Sequence, residues 1–162
     1  MHKAQTILVV DPESDFLAWA QHQLETPDTR VLAATNAEEA YQLFCREDPD
    51  LLLAETHLSP FSGMELLVKV RQRTPNAIVV LTSAFGTTQA VIESMRLGAF
   101  DFIRKETLPF TLKVVVDAAL NAQAETKAAT AFKPQLTVEE RQESIVGKSA
   151  AMQQVFKLVG RV

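Results

Sequence analysis

Four side chains in the sequence are of the types that phosphoryl-transfer chemistry requires: Asp11, Glu55, Ser83 and Lys105. Transfer to a carboxylate needs a nucleophile, acidic groups that hold a divalent cation, and a hydroxyl and an ammonium group for the phosphoryl oxygens. Each of the four stands at or just beyond the end of a short apolar run that indicates a buried strand. The residue types therefore predict a phosphoryl-transfer site, provided that the fold brings these strand ends together.

The elements that must position these side chains alternate along the chain, with an apolar strand followed by an amphipathic helix five times. We predict strands at residues 6–10, 29–34, 50–54, 77–81 and 100–103. We predict helices at residues 14–24, 37–46, 63–73 and 87–97, and a fifth from near Pro109 to about Ala128. Asn36 is the predicted N-cap of the second helix, and Gly98 is the residue predicted to end the fourth.

This alternation predicts an α/β fold in which helices cover both faces of one parallel sheet. Right-handed crossovers leave few arrangements for five such units, and we expect the flavodoxin-like (βα)5 doubly wound sheet with strand order 2-1-3-4-5. In that architecture the site lies at the carboxyl ends of the strands, beside the switch in strand order. The four side chains named above should therefore line one crevice.

Four segments occur in the order ILVVDPE, DLLLAETHLSPFSGMELL, VVLTSAFG and GAFDFIRK. Together they resemble the receiver domains of bacterial two-component response regulators, over about residues 5–125. The resemblance implies that Asp11 belongs to the acidic pair of that family and that Glu55 stands at the phosphoacceptor position. It also implies that Ser83 and Phe102 are the switch hydroxyl and the switch aromatic residue, and that Lys105 is the lysine typical of the family.

Three positions depart from the family pattern: Pro12, Glu55 and Glu106. Pro12 replaces the second acidic residue that helps to hold magnesium, so we expect Mg²⁺ binding to be weak or absent and predict no metal or cofactor. Glu13 is the next acidic residue of this pocket, but it is expected to start the first helix. Glu55 is one methylene longer than aspartate, and a displacement of about 1 Å can cost about a hundredfold in a positioned reaction. Glu106 replaces a proline, so its peptide bond should be trans.

These departures leave several functions open. In the first, Glu55 pairs with Lys105 or accepts a hydrogen bond from Ser83, and the receiver is fixed in one state or controlled without phosphate. The same pair could instead be purely structural, and the two interpretations overlap. The alternative is a phosphorylatable receiver that takes a phosphoryl group with Mg²⁺ from a histidine kinase. A flavodoxin-like ligand binder is disfavoured because the chain shows no phosphate-cradling loop. His57 is interpreted as a solvated loop residue and not as a metal ligand.

The domain organisation predicted from the sequence has three parts. Residues 1–128 form the receiver, whose Ala-rich, extended C-terminal helix is either an interaction arm or a frayed end. Residues 129–143, which carry Pro134, form a linker. Residues 144–162 (SIVGKSAAMQQVFKLVGRV) resemble the opening of the AAA+ ATPase domain in sigma-54-dependent transcription activators. The resemblance implies a signalling domain that is not an enzyme, with a homodimer and the ATPase domain of the same chain as partners. A sensor kinase is left open as a third partner.

The composition of the chain bears on its partners and on its location in the cell. The formal net charge of -4 argues against nucleic-acid binding by this fragment. No apolar run approaches the roughly 20 residues that cross a bilayer, and the N-terminus lacks the pattern of a signal peptide, so we expect no membrane association. The single cysteine, Cys45, is predicted to be a buried small hydrophobe and fits a reducing cytoplasm.

Overall fold

The structure is a computed structural model that describes residues 4–132. The predicted linker beyond residue 132 and the predicted ATPase segment 144–162 lie outside these residues. The strands are β1 (Gln5–Val10), β2 (Thr29–Ala34), β3 (Leu51–Glu55), β4 (Val79–Ser83) and β5 (Asp101–Arg104). The helices are α1 (Ser14–Leu24), α2 (Ala37–Glu47), α3 (Gly63–Arg73), α4 (Thr88–Arg96) and α5 (Leu108–Phe132), with a 3-10 turn at Lys105–Thr107. Contacts group the chain up to Glu125 into one compact unit.

The strands form one parallel sheet in the order β2-β1-β3-β4-β5. This is the strand order predicted from the sequence, and the flavodoxin-like doubly wound fold is confirmed. The strand order reverses at β1, since the chain first adds β2 on one side of β1 and then β3 on the other. The carboxyl ends of β1 and β3 are therefore the edge at which this fold opens a crevice.

Two apolar layers, one on each face of the sheet, explain why the strands are nearly continuous apolar runs. Alternate residues of β1 point to opposite faces: Ile7 and Val9 join the layer with α1 and α5, and Leu8 and Val10 join the layer with α2 and α3. All four side chains are at most 1% exposed. Polar residues are confined mainly to the ends of these strands, where Asp11, Glu55 and Ser83 are themselves buried.

Residues adjacent to the helices determine where α2 begins and where α4 ends. The Asn36 side chain accepts a hydrogen bond from the Glu39 N–H at 2.8 Å, which confirms the predicted N-cap of α2. Gly98 has φ +103°, a left-handed conformation that glycine adopts at low cost, and follows α4 as predicted. None of the helices in the described part of the chain is both long and apolar enough to cross a membrane.

Some predicted boundaries were wrong. β3 runs through Glu55 and β4 through Ser83, because Glu55 pairs with Thr82 of β4 and Ser83 pairs with Arg104 of β5. α5 continues to Phe132 and not to about residue 128, since its alanine-rich end has no residue that stops a helix. Cys45 was predicted to be buried but is partly exposed, because it lies beside and not on the buried stripe of α2.

Candidate functional site

The crevice at the carboxyl ends of β1, β3 and β4 collects the four predicted side chains. Asp11 directly follows β1, Glu55 and Ser83 end β3 and β4, and Lys105 directly follows β5. Three of these four, all but Ser83, line a cavity of about 340 Å³. Its lining residues are Asp11, Pro12, Glu13, Glu55, His57, Ala84, Phe85 and Lys105.

Lys105 is the centre of this crevice. Its Nζ lies 2.6 Å from Asp11 Oδ2 and 2.9 Å from Glu55 Oε1. A third carboxylate oxygen, Glu13 Oε1, is 3.7 Å away. The Lys105 side chain is only 18% exposed, and its ammonium group also lies 4.6 Å from the centre of the Phe16 ring. The predicted pair between Glu55 and Lys105 is present, and Asp11 shares the same ammonium group.

Both carboxylate oxygens of Glu55 are engaged. Oε1 faces Lys105, whereas Oε2 accepts hydrogen bonds from the Thr56 hydroxyl at 3.1 Å and from the His57 N–H at 3.0 Å. The His57 ring also approaches Oε2, with its Nδ1 at 3.3 Å. Since Oε2 and the Thr56 oxygen both lie next to Nδ1, the tautomer that carries the proton on Nδ1 suits this arrangement. Glu55 is therefore held by its own turn as well as by Lys105.

Burial and hydrogen bonding shift the pKa values of the side chains in this cluster in different directions. Burial raises the pKa of Asp11, and the Lys105 ammonium and the Glu13 N–H only partly offset that effect. Burial acts in the same way on Glu55, but the His57 N–H and Lys105 together hold the pKa of that carboxyl below its ordinary value. Burial alone would lower the pKa of Lys105, but the two carboxylates raise it above the ordinary lysine value. These contacts therefore favour the charged forms of Lys105 and Glu55, whereas burial disfavours the charged form of Asp11.

Ser83 and Phe102 lie beside the crevice and contact the loop between β4 and α4. The Ser83 hydroxyl oxygen accepts a hydrogen bond from the Phe85 N–H at 3.1 Å. The contacts of the Glu55 carboxylate are with Thr56, His57 and Lys105, and the Ser83 hydroxyl is not among them. The Phe102 ring lies against Gly86, where an added Cβ would come within 2.6 Å of the ring. The Arg104 guanidinium donates to the Gly86 carbonyl at 3.1 Å, so β5 holds this loop from two sides.

The remaining predicted positions lie on the rim. Glu13 precedes α1, and its N–H donates to Asp11 Oδ1 at 2.8 Å while its side chain is 72% exposed. Glu106 is also exposed and lies 3.8 Å from the Arg104 guanidinium. The peptide bond between Lys105 and Glu106 is trans, as predicted from the absence of proline. Neither rim glutamate replaces the oxygen ligand that Pro12 lacks.

The crevice does not fit the magnesium ion that the family resemblance implies. Mg²⁺ requires several oxygen ligands in near-octahedral geometry at about 2.1 Å. Asp11 already uses its two oxygens on the Glu13 N–H and Lys105. Glu55 is engaged as described above, and Pro12 has no oxygen in its side chain. Within residues 4–132, no three His, Cys, Asp or Glu side chains are arranged to hold a metal ion.

Three residues of this site were missed in the sequence. Thr56 and His57 bind Glu55 through the turn that follows β3; the His57 side chain is 74% exposed, as a solvated loop residue should be, but its N–H binds the carboxylate. Phe16 of α1 packs against the core, and its ring also contacts the Lys105 ammonium. The adjacency of Thr56 and His57 to Glu55 was a usable signal, since polar residues after a strand can bond to their own turn. No signal in the sequence links Phe16 to Lys105.

Comparisons with known proteins agree with this architecture. Residues 7–118 match the family described as the response regulator receiver domain. The response regulator protein PilR of Pseudomonas aeruginosa is 33% identical over 124 residues, which are 75% of this chain and 28% of PilR. The DNA-binding transcriptional regulator NtrC of Escherichia coli is 26% identical over 157 residues, which are 96% of this chain and 32% of NtrC. The chain thus spans less than a third of the length of these two relatives.

Solved structures show the same fold. A response regulator receiver domain protein from Clostridium thermocellum is 27% identical with a TM-score of 0.70, covering 75% of this chain and 98% of its own. NtrX from Brucella abortus is 26% identical with a TM-score of 0.73, covering 80% of this chain and 29% of its own. The family match, which covers more than half of the chain, and the shared topology lead to one conclusion. The chain belongs to the response regulator receiver domain family.

Proposed function

We propose that this chain is the regulatory receiver domain of a sigma-54-dependent transcription activator and that it works without phosphorylation of residue 55. The observation that carries this proposal is the position of the Lys105 ammonium, 2.6 Å from Asp11 and 2.9 Å from Glu55. In this ion pair the Lys105 ammonium compensates the charge of the carboxylates from within the chain. In a phosphorylated receiver, a phosphoryl group and its cation would rearrange these contacts. The receiver is then held in one state by its own side chains.

Glu55 is a poor phosphoryl acceptor in this geometry. A carboxylate oxygen that attacks phosphorus must present a free lone pair in line with the leaving group. Oε1 would have to leave Lys105, and Oε2 would have to give up the Thr56 hydroxyl and the His57 N–H. With Pro12 in the acidic pair, no second carboxylate is present there to hold the cation that shields the incoming negative charge.

Ser83 and Phe102 keep their proposed roles as switch residues in this scheme. Both contact the loop between β4 and α4, Ser83 through the Phe85 N–H and Phe102 through Gly86. The state of the crevice would reach α4 through this loop. We propose that the loop transmits a fixed state and not a phosphorylation signal.

The larger context rests on the relatives and on the resemblance of residues 144–162 to the start of an AAA+ ATPase domain. PilR and NtrC are named as regulators, and the matched segments cover only 28% and 32% of their lengths. We propose that the domain is not an enzyme and that it acts by dimerisation and by contact with the ATPase domain of the same chain. Four large apolar side chains on α4 and α5 support a protein interface because they are exposed: Ile92, Met95, Phe110 and Val114.

The direct test is to incubate the protein with acetyl phosphate and Mg²⁺ and to measure its intact mass. We expect no phosphoryl adduct on the natural chain. The double variant Pro12→Asp, Glu55→Asp restores the acidic pair and the shorter acceptor, and it should gain a hydroxylamine-labile adduct under the same conditions. A hydroxylamine-labile adduct at Glu55 of the natural chain would instead support the alternative, a receiver that is phosphorylated with Mg²⁺ by a histidine kinase.

A further inference from the structure

We infer that Lys105 is a built-in cation that takes the position of a divalent metal ion in this crevice and excludes such ions. The inference rests on the crevice that carries the proposed function. It concerns a different event, however, since it describes which cation the carboxylates bind and not which group accepts phosphate. A test of cation binding can therefore fail while the proposed function holds, and the reverse is equally true.

The geometry of the two carboxylates makes the lysine and a metal ion mutually exclusive. Asp11 and Glu55 come from neighbouring strands, and one oxygen of each lies within 2.9 Å of the same Lys105 nitrogen. A divalent ion bridging these oxygens at about 2.1 Å would lie between them, close to the place that the ammonium group fills. Two cations cannot share that place, so a metal ion can enter only when the lysine side chain leaves.

Charge also favours the lysine. The Asp11 side chain is 0% exposed and that of Glu55 is 6% exposed, so neither carboxylate can rely on water for compensation. The ammonium group offsets one of the two negative charges while it remains covalently attached and held in position. A dissolved ion would have to give up part of its hydration shell and displace this group to gain these carboxylate ligands.

The lysine is held in place by more than its carboxylate partners. Phe16 presents its ring 4.6 Å from Nζ, which adds a cation–π contact. The backbone at Lys105 enters a 3-10 turn that the Thr107 hydroxyl closes by donating to the Arg104 carbonyl at 2.9 Å. Displacement of Lys105 would therefore lose two ion pairs and a ring contact together.

The experiment compares divalent-ion binding by the natural protein with binding by two variants that remove the cation, Lys105→Ala and Lys105→Met. Binding is followed as the loss of free Mn²⁺ in electron paramagnetic resonance titrations. Thermal unfolding in MgCl₂, against NaCl of equal ionic strength, gives a second readout because a bound ion stabilises the folded state. Lys105→Arg keeps the charge, and Lys113→Ala removes an exposed lysine of α5; both serve as controls.

We expect the natural protein and both controls to show no saturable Mn²⁺ binding and no stabilisation that is specific to Mg²⁺. Lys105→Ala or Lys105→Met should show saturable Mn²⁺ binding, at least about tenfold tighter than the weakest binding the titration can detect, and should unfold at a higher temperature in MgCl₂ than in NaCl. A variant that folds only when Mg²⁺ is present would support the inference as well. Saturable binding by the natural protein at the affinity of the lysine variants, or no gain in either variant, would overturn it.

Discussion

Glu55 shows at the level of one residue how a single carboxylate can connect separate elements of a site. Its carboxylate reaches Lys105 across the sheet and, with the other oxygen, the N–H of His57 two residues ahead. One side chain thereby joins the end of β5 to the turn after β3. The pKa of this carboxyl is lowered by those contacts, which means that the folded state stabilises the charged form.

The first prediction concerns the pH dependence of this stabilisation. A carboxyl whose pKa is lowered on folding contributes stability that is complete above its ordinary value of 4.5 and is lost as the pH falls through the folded-state value. Glu55→Gln has one carbonyl oxygen for the partners of two carboxylate oxygens, so it should lower the free energy of unfolding by about 2 kcal/mol at neutral pH. The difference from the natural protein should shrink as the pH falls below 4.5.

Urea unfolding curves measured from neutral to acidic pH would test this prediction. Glu25→Gln, at an exposed position after α1, is the matched control and should follow the natural protein throughout. If the Glu55→Gln difference stayed constant across the acidic range, the carboxylate charge would not be the source of the stabilisation.

At the level of elements, the position of α3 depends on the absence of a side chain at its first residue. Gly63 packs directly on the backbone of Glu55 and Thr56, and a Cβ at this position would overlap the Glu55 carbonyl oxygen. The Gly63 N–H also donates to the Thr56 carbonyl at 2.8 Å. The start of α3 and the end of β3 are therefore fixed against each other, and the turn that holds the Glu55 carboxylate lies between them.

The second prediction is that Gly63→Ala lowers the free energy of unfolding by about 3 kcal/mol or more, because backbone atoms must move to make room. Gly86→Ala is the matched comparison. There the obstacle is the end of the half-buried Phe102 ring, which can rotate away, so we expect a loss of about 1 kcal/mol. Urea unfolding of both variants gives the two values directly.

A double-mutant cycle with Phe102→Leu separates the two glycines further. The smaller side chain should restore most of the stability that Gly86→Ala loses and should do nothing for Gly63→Ala. Equal losses for the two glycine variants, or rescue of Gly63→Ala by Phe102→Leu, would show that the contacts at these positions are not those described.

Helix ends that depend on neighbouring residues could be predicted from the sequence. Contacts that depend on how distant residues pack could not. Asn36 and Gly98 act on their own helix ends, so residue type alone was sufficient to place them. The ends of β3 and β4 were misplaced because pairing with a neighbouring strand, and not the apolar pattern, extends them: Glu55 pairs with Thr82, and Ser83 pairs with Arg104. The pair of Glu55 with Lys105 was predicted from family positions, whereas the Phe16 ring beside Lys105 depends on how α1 packs, which no local pattern encodes.

At the level of the whole molecule, the surface around the edge strand β5 is the part that the fold leaves apolar. Ile92 and Met95 on α4 are 57% and 46% exposed, and Phe110 and Val114 on α5 are 84% and 70% exposed. Within each helix these residues are three or four positions apart, so each pair shares one helix face. Scattered exposed apolar residues are ordinary, but paired ones on the two helices that precede and follow β5 are typical of an interface.

The third prediction is that this surface mediates the proposed homodimer. Phe110→Lys removes a large apolar side chain and introduces a charge, so it should weaken dimerisation at least about tenfold in Kd. Because Phe110 is exposed, the free energy of unfolding of the monomer should change by no more than about 0.5 kcal/mol. Sedimentation equilibrium over a range of protein concentrations measures the first quantity, and urea unfolding of dilute samples measures the second.

Gln42→Lys introduces the same charge at an exposed position of α2, on the other side of the molecule from β5, and should leave the dimer unchanged. If Gln42→Lys weakened association as much as Phe110→Lys does, net charge and not the apolar surface would control it. A natural chain that stayed monomeric at every concentration would remove dimerisation by residues 1–162 from the proposed mechanism. The fixed crevice around Lys105 would then have to act through contacts with the ATPase domain alone.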